Sequence, residues 1–223
     1  MVLLSTLGEE IEVMTLAAPA YHDPSQAPFD PLVDLAGTWT TDLAEQYLPI
    51  PGMPAVKYEC LDGRLIVSPY ESSANSYAAG KLNRILAPPA EEAGFLACLT
   101  VNVAFSPKRW IQPTLTIVKS LPEPDVDVWV PTDQVLMPVE FVSPSSRRKD
   151  RIDKPALCAA AKIPYFMEVE VRRSQVRSEV KLFALDIDHY VEVAVAGAGS
   201  RFEIEYPFPV SFDPKELLPP QPR

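Results

Sequence analysis

Two carboxylates and one lysine in the middle of this 223-residue chain are the residues whose types and spacing suit acid and metal chemistry. Asp125 lies in the run Glu123-Pro124-Asp125-Val126-Asp127-Val128-Trp129-Val130, where acids interrupt Val and Trp. Glu140 lies in Val139-Glu140-Phe141-Val142, and Lys154 follows the charged stretch Arg147-Arg148-Lys149-Asp150-Arg151-Ile152-Asp153. Fifteen residues separate Asp125 from Glu140, the length of two strands and a short connection. If those strands are neighbours, both carboxylates project from one end of a sheet into a shared pocket. Two close carboxylates repel and raise a pKa unless a cation joins them. Hard oxygen ligands suit Mg²⁺ or Mn²⁺, which activates water and stabilises charge growing on a phosphodiester oxygen. An ammonium from Lys154 would position that water and offset phosphate charge. The plainer reading makes Lys154 the i,i+4 partner of Asp150 on a solvated helix start. Asp127 shares the face of Asp125, and at least one of the pair is expected to be an edge or loop carboxylate.

Other chemistries are excluded by counting. His22 and His189 are the only histidines, which leaves no room for a His-dependent triad or a zinc site of His and Cys. Neither GxxxxGK nor GxGxxG occurs, which removes the usual nucleotide-cofactor readings. The three cysteines are far apart and in apolar surroundings, so no disulfide framework is implied. The N-terminus lacks the basic start of a secretory signal, and the longest uncharged run, Ala93 to Pro107, is too short for a membrane helix. These features imply a cytoplasmic protein with no membrane partner. The formal charge of −10 disfavours non-specific DNA binding, although a local basic cluster or a bound cation reverses the sign within one cleft.

The elements that must position these residues are strands mixed with a few helices. A composition of 47% hydrophobic and 22% charged residues supports one core, and the 25 prolines concentrate in connections. Residues 1–39 read as a variable extension, 40–218 as the main domain and 219–223 as a Pro-rich tail. Thr40 caps a short helix that stops at Pro49. Asp62-Gly63 joins Val56–Cys60 and Arg64–Val67 in a hairpin. Ser72-Ser73 opens a helix through Leu86, ended by Pro88-Pro89. A strand follows from Phe95 to Phe105, with Ile111 to Val118 pairing back on it. Two strands, Val126–Val130 and Leu136–Val142, carry the acids. Pro155 belongs in the first turn of a helix to Lys162. The remainder reads as strands Tyr165–Val171, Val180–Leu185, Tyr190–Val195 and Arg201–Tyr206, with a last short helix over Asp213–Leu218. This pattern indicates an α/β or α+β sheet covered by helices, and exposed sheet edges would allow a homodimer.

The ordered runs Tyr58-Glu59-Cys60-Leu61-Asp62-Gly63-Arg64-Leu65-Ile66-Val67-Ser68-Pro69, Pro124-Asp125-Val126-Asp127-Val128, Val139 to Ser146, Asp150 to Leu157 and Ile163-Pro164-Tyr165-Phe166 resemble the Uma-type bacterial family of restriction-endonuclease-like proteins. That family, formerly a domain of unknown function, belongs to the PD-(D/E)XK nuclease superfamily. The resemblance covers about residues 40 to 195. It implies a mixed sheet flanked by helices and a divalent-metal site in which Asp125 and Glu140 bind Mg²⁺ or Mn²⁺. Lys154 stands in for the superfamily lysine two residues beyond the glutamate, a position held here by Val142, provided its helix turns back towards the strand. Glu59 is a further candidate carboxylate. Asn75 stands where many relatives have histidine, and Cys158 where they have tyrosine. Arg147, Arg148, Lys149 and Arg151 either contact phosphates flanking the scissile bond or form a charged loop balancing nearby acids. Trp110 and Trp129 would stack bases or, as strand tryptophans usually do, sit in the core. The resemblance thus implies a metal-dependent endonuclease acting on DNA. The competing reading is a non-catalytic nucleic-acid or protein interaction module on a nuclease-like scaffold.

Overall fold

In the computed structural model, residues 28–54, 56–69, 71–122, 128–143 and 148–220 are described. Pro31–Arg223 forms one compact unit, and residues 1–30 are assigned to the other. The larger unit begins with two short helices, α1 (Pro31–Asp34) and α2 (Thr41–Tyr47). Thr40 caps α2 by accepting the Leu43 N–H on its hydroxyl at 3.2 Å. A hairpin of β1 (Val56–Leu61) and β2 (Arg64–Pro69) follows. Its turn needs left-handed backbone at Asp62 (φ 53°) and Gly63 (φ 80°), the requirement the Asp-Gly pair satisfies. The Gly63 position is crowded as well, since a Cβ there would sit 2.5 Å from the carbonyl oxygen of Gly37.

The long helix α3 (Ser73–Glu92) has Ser72 as its cap. It buries Ala78, Leu82, Leu86 and Ala90, a stripe at four-residue spacing. The helix runs through Pro88 and Pro89 rather than stopping at them. Proline's fixed φ is itself helical, and the fully buried Leu86 and Ala90 on either side hold the turn despite the lost N–H donors.

Next come β3 (Leu96–Leu99), β4 (Asn102–Ser106), β5 (Arg109–Ile111) and β6 (Leu115–Val118). The expected hairpin of two long strands is therefore cut into four short ones. Thr100 takes a positive φ of 56°, which ends β3 and re-aims the chain, and Pro113 interrupts the return run, where it has no N–H to give a ladder. The outer halves pair as β3 with β6 and the inner halves as β4 with β5, each in a different sheet.

Strand β7 (Trp129–Pro131) starts one residue after the described residues resume at Val128, a turn residue, so of the expected strand Val126–Val130 only Trp129 and Val130 are seen as strand. A single 3-10 turn at Thr132–Gln134 leads into β8 (Val135–Phe141). These two strands are not neighbours. β7 pairs with β4 and β8 with β6 and β9, because the 3-10 turn carries the chain from one sheet to the other. A wide π-turn (Lys149–Asp153), closed by the Lys154 N–H on the Lys149 carbonyl, continues into α4 (Lys154–Ala160). Pro155 sits in the first turn of that helix, as expected. Strands β9 (Tyr165–Arg172), β10 (Arg177–Asp186) and β11 (His189–Gly197) form an antiparallel meander, followed by the small hairpin β12 (Phe202–Ile204) and β13 (Val210–Phe212). The final 3-10 turn, Pro214–Leu217, carries a capping box between Asp213 and Glu216.

The strands assemble into a five-stranded sheet of order β2-β1-β5-β4-β7 and a six-stranded sheet of order β11-β10-β9-β8-β6-β3. The mixed sheets with flanking helices match the expected α+β class. In β8, Met137, Val139 and Phe141 join the cluster packed on α3, so the intervening Glu140 points to the opposite face. On that face a second cluster, including Val103, Ile111, Cys158 and Phe166, joins α4 and the five-stranded sheet to β8 and β9. The third cluster, Trp39, Ala44, Cys60 and Trp110, covers the far side of β1 with α2. All three cysteines are free.

Candidate active site

Alternation along β1 sends Tyr58 and Cys60 to one side and Lys57 and Glu59 to the other. Glu59 is thereby directed towards Glu140 of the other sheet, and Lys154, the first residue of α4, reaches in between. Its ammonium lies 2.6 Å from Glu140 Oε1, 2.9 Å from Glu59 Oε1 and 3.5 Å from Asp150 Oδ1. The helix after β8 therefore does turn back, and Val142, in the superfamily's usual lysine position, is buried with its N–H on the Val169 carbonyl. The i,i+4 pair of Asp150 with Lys154 also forms, but in the interior: the two residues are 3% and 5% exposed.

Lys149, the first residue of the π-turn, binds the second oxygen of Glu59 at 2.5 Å and the Ser68 hydroxyl at 3.3 Å. Glu59 Oε1 also accepts the backbone N–H of Gln112 at 3.1 Å. A second polar group adjoins this one. Glu71 accepts from Lys57 Nζ at 2.9 Å, from Thr114 Oγ1 at 2.9 Å and from Asn75 Nδ2 at 3.1 Å. Both groups line one cavity of about 600 Å³ between the sheets.

The charges follow from this packing. Burial alone would raise the Glu59 carboxyl, but the ammoniums of Lys154 and Lys149 overcome it and hold the pKa down at about 2. Glu140 goes the other way. Its burial dominates, Lys154 offsets only part, and Asp150 and Glu59 add repulsion, so its pKa is pushed up to about 7. Burial opposes charge on Lys154, yet the three carboxylates around it raise its pKa well above the lysine range, so it is an ammonium at any physiological pH. Next to Glu140 in register on β9, Glu168 is also pushed up to about 7, chiefly by burial and against the pull of Arg151.

Asp125, Asp127 and Arg147 lie outside the described residues. Of the remaining candidates, Glu59, Glu140, Lys154, Asn75 and Lys149 are brought together, Asn75 through Glu71. Arg151 faces the acids of β9, Glu168 at 3.6 Å and Glu170 at 2.6 Å, and Arg148 is exposed. Trp110 is core, 1% exposed, with its Nε1–H on the Tyr58 carbonyl and its ring edge-to-face with Trp129. Lys57 and Glu71 are absent from the candidates that sequence reasoning supplies. The available signal was the i,i+2 spacing of Lys57 and Glu59 on one strand, which places them on one face.

Glu140 fits a hard divalent cation by its chemistry: it is a buried carboxylate on a cavity, and the ammoniums of Lys154 and Lys57 only partly offset the burial that raises its pKa. Among the described residues no three His, Cys, Asp or Glu side chains are grouped as a metal site. Glu140 would hold such an ion together with a ligand from outside that set.

The model of the Uma2 family, described as "Putative restriction endonuclease", matches residues 44–218. No curated protein matches the chain. Among solved structures, a putative nuclease belonging to DUF820 from Anabaena variabilis ATCC 29413 superposes with a TM-score of 0.54 at 13% identity, covering 78% of this chain and 95% of that one. At that identity the likeness shows a shared fold. Among the described residues no helix is long and apolar enough to cross a membrane.

Proposed function

Because the chain belongs to the Uma2 family of restriction-endonuclease-like proteins, we propose that it is a metal-dependent endonuclease that hydrolyses phosphodiester bonds, with DNA as its substrate. The observation that carries this reading is the buried contact of Lys154 with Glu140 in the cavity between the sheets. It supplies a carboxylate and a fixed positive charge at one point. Asp125 and Glu140 would hold Mg²⁺ or Mn²⁺, with Asp127 as the further carboxylate of the same run. The ion would supply charge neutralisation and a more acidic water.

The chain's own residues then have separate roles. Lys154 cannot serve as a base, because its three carboxylate neighbours keep the proton on Nζ. It acts as a fixed donor that orients the attacking water or holds a phosphate oxygen as charge grows there. Glu59 sets the height of that ammonium from the opposite sheet, with its other oxygen held by Lys149. Glu140, with its pKa near 7, is poised to lose its proton as the site fills.

One observation favours the interaction-module reading: the ammonium of Lys154 already sits among Glu140, Glu59 and Asp150 as an internal counter-ion. Nicking of supercoiled DNA with Mg²⁺ or Mn²⁺ separates the two. Wild type should nick, and D125A and E140A should lose at least about a hundredfold in rate while keeping the fold. Full activity in both variants refutes the assignment. Calorimetry showing no metal binding at millimolar concentration favours the module.

A further inference from the structure

The basic loop after β8 is the obvious place to look for a grip on a polyanion, but two of its described cations are already paired within the protein. Lys149 is bound to Glu59, and Arg151 to Glu168 and Glu170. Lys57 lies outside that loop, on β1 at the cavity wall. It is 8% exposed, lines the same cavity as Glu140 and Lys154, and has one carboxylate partner, Glu71. That carboxylate is shared among three donors, Lys57, Thr114 and Asn75, so its negative charge is spread. The ammonium has three N–H groups, of which two are used, one on Glu71 and one on the Thr114 hydroxyl at 3.1 Å. Lys57 is also close enough to favour the charge on Glu140. A buried ion pair adds little to stability compared with an apolar pair of the same volume. Here the pair borders open space instead of filling it.

We propose that Lys57 is a phosphate-binding residue of this cavity, mounted by Glu71, Thr114 and Asn75 so that its remaining N–H meets a non-bridging oxygen of the nucleic-acid backbone. This rests on the nuclease reading and specifies which residue grips the substrate. Asn75 then acts through Glu71 as a positioning residue: it fixes the carboxylate that fixes the ammonium.

The test is binding of a fluorescein-labelled DNA duplex to the full chain in EDTA, read by anisotropy over a range of salt concentrations, so that cleavage is not needed. K57Q should bind about tenfold more weakly at low salt and lower the slope of log K against log salt by about 0.9, the loss of one phosphate contact. K57R should keep the wild-type slope. Melting curves verify that each variant folds, and K57M, which replaces the cation by an apolar chain of similar length, serves if K57Q does not. A folded K57Q or K57M with wild-type affinity and slope overturns the role of Lys57 while leaving the nuclease reading in place. Wild-type protein that binds no DNA at any salt overturns both.

Discussion

Lys154 and Glu59 show how two residues of opposite charge stabilise each other in an interior that favours neither. Each is nearly inaccessible, and each keeps its charge because the partner is fixed by a separate element, α4 for the lysine and β1 for the glutamate. Removing one leaves the other buried with fewer partners. E59Q leaves Lys154 with Glu140 and Asp150 but strips Lys149 of its carboxylate, and should therefore cost about 1 to 3 kcal/mol at neutral pH, read as a shift of the denaturant midpoint. K154R should keep the charge but lose most of the nicking rate, because a planar guanidinium cannot occupy a point between three carboxylates as a compact ammonium does. Glu140 was legible in the sequence as a lone acid within an apolar strand. Its tie to Lys154 was legible only as a condition on the path of the following helix. Glu71 was not legible and Lys57 only as a face-mate of Glu59, since an ordinary Lys-Tyr-Glu strand and a Glu before a helix cap carry no mark of the 57 residues that separate Lys57 from Thr114.

At the scale of elements, the sequence was most readable where a local rule decides the outcome. The Asp62-Gly63 hairpin and the Thr40 cap depend on residues within four positions, and both form as expected. The α3 stop at Pro88-Pro89 and the long strand from Phe95 to Phe105 also follow local rules, and both are overridden by the fold. Buried Leu86 and Ala90 carry the helix past the prolines, and the two halves of the strand run find different sheets. These features lead to two outcomes. G63A should lose about 2 kcal/mol or more, since it adds a Cβ against the Gly37 carbonyl at a left-handed φ. T100G should be neutral or gain up to about 1 kcal/mol, because a β-branched residue holds that positive φ at present. Chemical denaturation of the two variants is the measurement for both.

For the whole molecule, the site's carboxylates give opposite slopes of stability with pH. Glu59 and Glu71 have folded pKa values held below those of the unfolded chain. What they contribute is present above about pH 4.5 and is lost as pH falls towards 2. Glu140 and Glu168 are raised to about 7, so the folded state binds more protons there, and stability falls as pH rises from about 4.5 to 7. The metal-free protein should accordingly melt highest near pH 5, with E59Q flattening the acid limb. Ions that bind at Glu140 should lift the limb towards pH 7 and leave the acid one alone, and a thermal melt at each pH with and without Mg²⁺ reads this directly. The six-stranded sheet contains the meander β9-β10-β11, whose neighbours in space are neighbours in the chain. The pair Lys149 and Glu59, 90 residues apart, closes only when the two sheets meet. Loop closure of that length comes after local pairing in cost. In refolding experiments the cluster of Glu59, Lys149 and Lys154 should therefore form in the last kinetic phase, with E59Q speeding unfolding and leaving the folding rate nearly unchanged. A full-length chain trapped before that phase would then carry its paired strands while Glu59 and Lys149 stay apart.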